Sequence, residues 1–146
     1  MPQVLVLGSG KIGSLIAGLL SSKGQYQVHL ADLTLDAPKR LIDDLALTTV
    51  TPCAVDVRRL DTVVAYVTAY RFDAVISCLP YFYNAAVAEV ARAHHLHYFD
   101  LTEDVAVTGC VKAISEGADR AFLPQCGLAP GFMSIVTNDI IGHFAP

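Results

Sequence analysis

The sequence lacks both clustered positive charge and any long apolar segment. Only 16% of its 146 residues are charged and the formal net charge is −4, so nucleic acid is not expected as a partner. The first residues show neither a charged n-region nor a signal-type apolar segment, so we expect no leader, and no uninterrupted apolar run is long enough to span a bilayer. We therefore expect a cytoplasmic protein that does not use a membrane as a partner.

Metal-binding spacing is also missing. The four cysteines (Cys53, Cys78, Cys110 and Cys126) are scattered without a C-x-x-C pair, which disfavours a zinc site, and a cytoplasmic location disfavours disulfides. The histidines at positions 94, 95 and 97 have no carboxylate cluster that would complete a metal site. We predict no metal, and we interpret Cys53 and Cys110 as small buried apolar residues.

The most informative stretch is a glycine pattern that follows an apolar run. Val4–Leu7 predicts a strand buried on both faces, and apolar residues at helical spacing begin after the glycines. In this setting Gly8 permits a sharp turn, Gly10 leaves room for a pyrophosphate, and Gly13 lets the helix pack on the strand. The start of the helix offers free N–H groups to phosphates. The predicted phosphate-binding residues are Gly8, Ser9, Gly10, Lys11, Ile12 and Gly13.

A carboxylate follows at the spacing that dinucleotide binding requires. Val28–Ala31 predicts a second strand, and Asp32 stands at its end, about 20 residues after Gly13, where it can reach the adenosine ribose. Asp32 and the adjacent Leu33 are included in the predicted cofactor site. Because Asp32 puts negative charge where a 2′-phosphate would lie, NAD is favoured, and NADP stays open. The alternative is a flavodoxin-like turn in which Asp32 only caps the next segment.

The rest of the chain repeats the alternation of strand and helix. Predicted strands cover residues 4–7, 28–31, 51–55, 74–77, 97–100 and 121–124, and no repeat or linker interrupts them. Asp36 is predicted to be the N-cap of a helix from Pro38 to Leu47. The pattern predicts an α/β fold, a Rossmann-type doubly wound parallel sheet of about six strands in three αβα layers. We expect one domain over residues 1–146.

Further cofactor contacts are predicted at the ends of the third and fourth strands. Asp56 and Val57 follow the third strand, where the adenine is expected, although Asp56 fits equally well as the cap of the next helix. Cys78, Leu79 and Pro80 form the loop after the fourth strand, near the point where strand order reverses. Pro80 would stiffen this loop.

Carboxylates cluster after the fifth strand, at the sheet edge where ligands bind. Asp104 is predicted to cap the helix that begins near Val105. Asp100 and Glu103 are the candidate catalytic residues, for work on a substrate amine or on the nicotinamide ribose. Structural capping is the alternative for either.

The last part of the chain contains an irregular turn, Gln125–Gly131, with three helix-breaking residues. Pro130 is predicted to open a new helix. The apolar residues of that helix are Phe132, Ile135, Val136 and Ile140. Within 146 residues this helix has little left to cover.

In this order the motifs resemble one family. They are the glycine turn, Asp32, Asp56-Val57, the Cys78–Pro80 loop, Tyr98-Phe99-Asp100-Leu101 and the Gly127–Gly131 turn. The sequence is similar to the N-terminal nucleotide-binding domain of the saccharopine dehydrogenase-like oxidoreductases, which include lysine dehydrogenases. The resemblance covers essentially the whole chain, and its most specific part is the Tyr-x-Asp strand followed by the Gly-Leu-Ala-Pro-Gly turn.

The resemblance implies oxidation or reduction of the C–N bond of a small amino-acid-like substrate, with a nicotinamide cofactor carrying the hydride. Family enzymes are much longer, and their later segment builds the substrate-binding and dimerisation domain, which implies a homodimer for the full-length protein. We expect either an excised cofactor domain, inactive by itself, or a naturally short relative.

A regulatory nucleotide-sensing module, of the kind that gates potassium transport, is the alternative from another functional class. Such modules share the length, the glycine turn and the acidic residue. They need neither the proline loop after the fourth strand nor the Gly127–Gly131 turn, so these two features favour the enzyme. A Rossmann scaffold that binds nothing is the third interpretation.

Overall fold

Six parallel strands form the centre of the computed structural model, which describes residues 1–144. The strands are β1 (Gln3–Leu7), β2 (Gln27–Asp32), β3 (Val50–Ala54), β4 (Ala74–Ser77), β5 (His97–Asp100) and β6 (Phe122–Leu123). The helices are α1 (Lys11–Ser22), α2 (Asp36–Asp44), α3 (Leu60–Tyr70), α4 (Asn84–Ala93), α5 (Val105–Ser115) and α6 (Met133–Phe144). Ala145 and Pro146, which the predicted domain includes, lie outside the described residues.

The strand order is β3-β2-β1-β4-β5-β6, with every neighbouring pair parallel. The predicted doubly wound Rossmann sheet is confirmed. Chain order reverses between β1 and β4, which leaves a crevice outside the carboxyl ends of these strands. Because all strands are parallel, Gly8, Asp32, Cys78 and Asp100 lie at this same edge.

Helices cover the sheet on both faces, which explains why β1 is apolar at successive positions. Val4 and Val6 point to one face of the sheet and belong to the same buried cluster as Ala17 of α1. Leu5 and Leu7 face the opposite side, in the core that α3, α4 and α5 complete. Side chains alternate between the faces of a strand, so a strand covered twice needs an uninterrupted apolar run.

Two predictions about helix starts have different outcomes. Asp104 is confirmed as the N-cap of α5, since its carboxylate accepts the N–H of Val107 at 2.8 Å. The predicted Asp36 cap is wrong, because the preceding Leu35 already has helical dihedrals and holds the cap position. Asp36 instead occupies the first turn of α2, where a negative charge is favourable.

Of the two cysteine predictions, one is confirmed and one is wrong. Cys53 is buried in the sheet, as predicted, whereas Cys110 is exposed. The reason is helical geometry: α5 turns Val111 into the core, and the residue before it lies about 100° away around the helix.

The last helix is present but packs differently from the others. It covers Met133–Phe144 and follows a turn over Leu128–Phe132 that is kinked at Ala129, whose dihedrals are extended (φ −136°, ψ 126°). The helical backbone resumes after Ala129, which agrees with the prediction that Pro130 opens the last helical segment. None of its twelve residues is buried, and Ile135 and Ile141 are 71% and 62% exposed. No helix within residues 1–144 combines the length and hydrophobicity that crossing a membrane requires.

Candidate functional site

The turn between β1 and α1 can be built only with glycine at two positions. Gly8 has a φ of +100°, and a Cβ there would lie 2.8 Å from the carbonyl oxygen of Cys78. A Cβ on Gly13 would lie 1.8 Å from the carbonyl oxygen of Gly8. Both glycines therefore allow α1 to sit directly against the carboxyl ends of β1 and β4.

Gly10 is different, because the space around it is open. Apart from Gly10 and its two neighbours in the chain, no atom of the described residues lies within 4 Å of the position that a Cβ on Gly10 would take. Gly10 is also the N-cap of α1, where no side chain bonds to the free N–H groups and no acidic residue occupies the first turn. The uncapped helix start thus presents donors and a positive dipole end to an anion.

Asp32 is held against this turn by hydrogen bonds. Its Oδ2 accepts the backbone N–H of Ser9 at 2.8 Å and the hydroxyl of Ser9 at 2.6 Å, while Oδ1 accepts the N–H of Leu33 at 2.7 Å. Partial burial raises the pKa of Asp32, but these hydrogen bonds outweigh it, so the pKa lies below its ordinary value. The carboxylate is ionised at neutral pH and keeps acceptor capacity for another donor.

A cavity of about 170 Å³ opens beside this carboxylate. It is smaller than the 300–1,000 Å³ that whole small-molecule ligands occupy, so it suits one ring system of a larger ligand. Its lining joins residues from the ends of β1, β2, β3 and β4. It includes six predicted cofactor-binding residues: Gly8, Asp32, Leu33, Asp56, Val57 and Leu79.

Comparison with protein families decides the assignment. Residues 4–121 match the family described as "Saccharopine dehydrogenase NADP binding domain". The chain belongs to this family. The family resemblance predicted from the sequence is confirmed, and the match does not favour a potassium-transport sensor. No sequence among the curated proteins matches the chain.

Solved structures agree with the fold of the family. Saccharopine dehydrogenase (L-Glu forming) from Saccharomyces cerevisiae superposes with a TM-score of 0.83 at 20% identity, over 98% of this chain and 31% of that chain. A myo-inositol dehydrogenase from Corynebacterium glutamicum gives 0.66 at 17% identity, over 100% of this chain and 43% of that chain. Prephenate dehydrogenase from A. aeolicus gives 0.62 at 16% identity, over 85% of this chain and 41% of that chain. The chain thus spans less than half of each of these proteins.

The cofactor of this family domain is a nicotinamide dinucleotide, and the residues of the chain fit such a group. The open space at Gly10 and the uncapped start of α1 suit a pyrophosphate. The ionised Asp32 suits ribose hydroxyls, and the adjoining cavity suits a base. The chain is therefore a dinucleotide-binding domain of this family.

A second, wider cavity of about 510 Å³ is lined by Ile12 of α1 and by residues that follow β4 and β5. Cys78 and Leu79 line it together with Glu103, and Leu79 lines both cavities. Burial raises the pKa of the Cys78 thiol to about 12, so this side chain is neutral. Pro80 lines neither cavity and instead precedes a short 3₁₀ turn over Tyr81–Tyr83.

The surroundings of Asp100 favour the structural alternative over the catalytic one. This residue has no exposed surface. Its carboxylate accepts the hydroxyl of Tyr98 at 2.8 Å and the backbone N–H groups of Thr102 and Gln125 at 3.0 and 3.1 Å. Asp100 thus ties β5 to the two loops that follow β5 and β6, which gives it a structural role. Glu103 is exposed at the second cavity and stays a candidate.

Sequence reasoning missed Arg58 and Tyr83, whereas it placed Tyr81 near the nicotinamide as the last residue of the Cys78–Tyr81 loop. Arg58 lines the smaller cavity and pairs with Asp56. Asp56 is not the N-cap of α3, because Arg59 holds the cap position, without a side-chain hydrogen bond. Tyr83 lines the smaller cavity and Tyr81 the larger one. The Asp-x-Arg spacing was the available signal for Arg58, but spacing alone does not place a side chain.

Proposed function

We propose that this chain is the cofactor-binding domain of an oxidoreductase that acts on the C–N bond of an amino-acid-like substrate. The observation that supports the proposal best is the ionised Asp32, bonded to Ser9 of the glycine turn beside a cavity of the size of one ring system. A bound nicotinamide would supply the hydride acceptor or donor. The protein's task is then to bind and orient it.

The pyrophosphate is assigned to the glycine turn and the first turn of α1. The residues concerned are Gly8, Ser9, Gly10, Lys11, Ile12 and Gly13. Asp32 and Leu33 are assigned to the adenosine ribose, and Asp56 and Val57 to the adenine. Donors at an uncapped helix start stabilise phosphate oxygens, while a carboxylate accepts ribose hydroxyls, so each part of the cofactor meets complementary chemistry.

We assign the nicotinamide end to the wider cavity. Cys78 and Leu79 supply a neutral, largely apolar wall there, and Pro80 limits the movement of their loop. Glu103 supplies negative charge at the same cavity, which would attract the cationic amine of an amino acid. Glu103 is the remaining catalytic candidate within this chain.

The charge beside the ribose favours NAD over NADP. An ionised Asp32 repels a 2′-phosphate, although the family description names NADP. The chain spans 31% of the yeast enzyme. The separate substrate-binding domain and the homodimer that the family resemblance implies therefore stay predictions for the full-length protein. The cytoplasmic location and the single-domain organisation over residues 1–146 stay predictions.

Titration calorimetry of the purified chain with NADH and NADPH tests the proposal. We expect saturable NADH binding, weaker NADPH binding, and no turnover of amino acids by the chain alone. A Gly10→Ala variant should lose NADH binding without loss of stability, because its Cβ enters the space left for the pyrophosphate. Gly18→Ala is the control, since Gly18 lies in α1 with open surroundings away from the turn. Absence of NADH binding at millimolar concentration would overturn the proposal.

A further inference from the structure

The rim of the smaller cavity carries an arginine whose orientation is fixed. Nε and one Nη of Arg58 donate to the two carboxylate oxygens of Asp56, each at 2.8 Å, and the backbone N–H of Arg58 adds a third bond at 3.1 Å. A bidentate pair of this kind sets the plane of the guanidinium as well as its position.

Within residues 1–144 the hydrogen bonds of this arginine go to Asp56, two positions earlier in the chain, so they join no two elements of the fold. Its side chain is 60% exposed, and ion pairs at such sites contribute little to the free energy of unfolding. It nevertheless lines the same cavity as Asp32, Val57 and Tyr83. A fixed and accessible guanidinium at the mouth of a ring-sized cavity is chemically suited to a ligand with a flat aromatic face, because arginine planes stack on aromatic rings and on nucleic-acid bases.

We propose that Arg58, oriented by Asp56, is a specificity residue for the adenine end of the dinucleotide. It offers a cationic plane on which the adenine stacks. Two of the five N–H donors of this guanidinium bond to Asp56, whose carboxylate also offsets its positive charge, so the pair offers little net attraction to a 2′-phosphate. This inference rests on the proposed function. It adds which residue holds the adenine and why a ribose that carries a 2′-phosphate is disfavoured.

The local charge agrees with this assignment. Asp32 and Asp56 place two carboxylates on the cavity lining, against one guanidinium from Arg58. A 2′-phosphate would bring further negative charge into this surrounding, whereas a neutral adenine and an unmodified ribose bring none. Arg58 therefore adds affinity for the base without reversing the preference that Asp32 sets.

Binding of four probes to matched variants tests the inference. The probes are NADH, NADPH, ADP-ribose and nicotinamide mononucleotide, measured by calorimetry. Arg58→Ala should weaken the binding of NADH and ADP-ribose about tenfold, which is the size of a cation–aromatic contact. The binding of nicotinamide mononucleotide, which has no adenine, should not change. Arg58→Lys should lose nearly as much, because an ammonium keeps the charge but lacks the planar fork. Asp56→Asn should reduce the difference in affinity between NADH and NADPH, since it removes the carboxylate that pairs with the guanidinium of Arg58.

Arg59→Ala is the matched control. Arg59 is the next residue, is 68% exposed, pairs with Asp61 and does not line the cavity, so its removal should change no affinity. The inference is overturned if Arg58→Ala binds NADH as tightly as the unmodified chain, or if Arg59→Ala weakens it equally. Failure of the unmodified chain to bind any dinucleotide would instead overturn the proposed function, and this inference with it.

Discussion

Replacing Gly13 by alanine should damage the fold as well as the cofactor site. The new Cβ would lie 1.8 Å from the carbonyl oxygen of Gly8, 3.0 Å from its carbonyl carbon and 3.4 Å from Cβ of Cys78. Carbon and oxygen atoms need roughly 3.5 Å, so α1 and the turn would have to separate by roughly 1.5–2 Å. Two of the three obstructing atoms are backbone, and no change of side-chain rotamer relieves contacts with them.

The magnitude follows from two opposing terms. Overpacking a buried site costs about 1–3 kcal/mol, and a clash with backbone belongs at the upper end or above it. Alanine in place of glycine inside a helix stabilises the fold by about 1 kcal/mol. We expect the free energy of unfolding to fall by about 2–3 kcal/mol, which lowers the urea midpoint by roughly 1–2 M for a protein of this size.

Urea unfolding followed by circular dichroism measures this loss, with Gly18→Ala as the control on the same helix. Apart from its own turn of α1, nothing within the described residues lies within 4 Å of a Cβ on Gly18, so this variant should gain about 0.5–1 kcal/mol of stability. Gly13→Ala should also lose NADH binding, whereas Gly18→Ala should retain it. If Gly13→Ala were as stable as Gly18→Ala, the close packing of α1 on the turn would be refuted.

Three further predictions concern titration and buried polar groups. Ser9→Ala removes a hydrogen bond that lowers the pKa of Asp32, so carboxyl carbon-13 NMR should show a higher pKa in the variant. The ionised carboxylate contributes stability that is lost as the pH falls through this pKa, so the variant should lose it at a higher pH than the unmodified chain. Burial lowers the pKa of His29, so stability should be full above its ordinary value near 6.5 and should fall as the pH drops toward the lowered value. His29→Gln, which can still bond to Tyr66, should remove that decline in urea titrations at pH 7.5, 6 and 5. Asp100→Asn should lower the free energy of unfolding by about 2–4 kcal/mol in the same assay, because an amide nitrogen replaces a fully buried acceptor; an unchanged urea midpoint would contradict the structural role.

Strand positions could be predicted closely because the signal for them is local. A strand covered on both faces must be apolar at successive residues, so runs such as Val4–Leu7 and Ala74–Ser77 mark β1 and β4 to within a residue. The turn residues Gly8 and Gly13 were equally predictable, since only glycine fits the backbone there. Helix ends were less so: Leu35 and not Asp36 caps α2, because the dihedrals of the preceding turn decide which residue is first in the helix.

The sequence by itself determined the parallel sheet, the glycine turn and the carboxylate at the end of β2, because each depends on residue type and spacing along a single strand–turn–helix unit. Tertiary structure alone decided that Asp100 is enclosed by donors from three segments while Glu103 stays exposed, and that Arg58 is fixed at the cavity rim. The physical reason is that the orientation of a loop side chain depends on which groups other strands bring within hydrogen-bonding distance. Spacing along the chain does not contain that information.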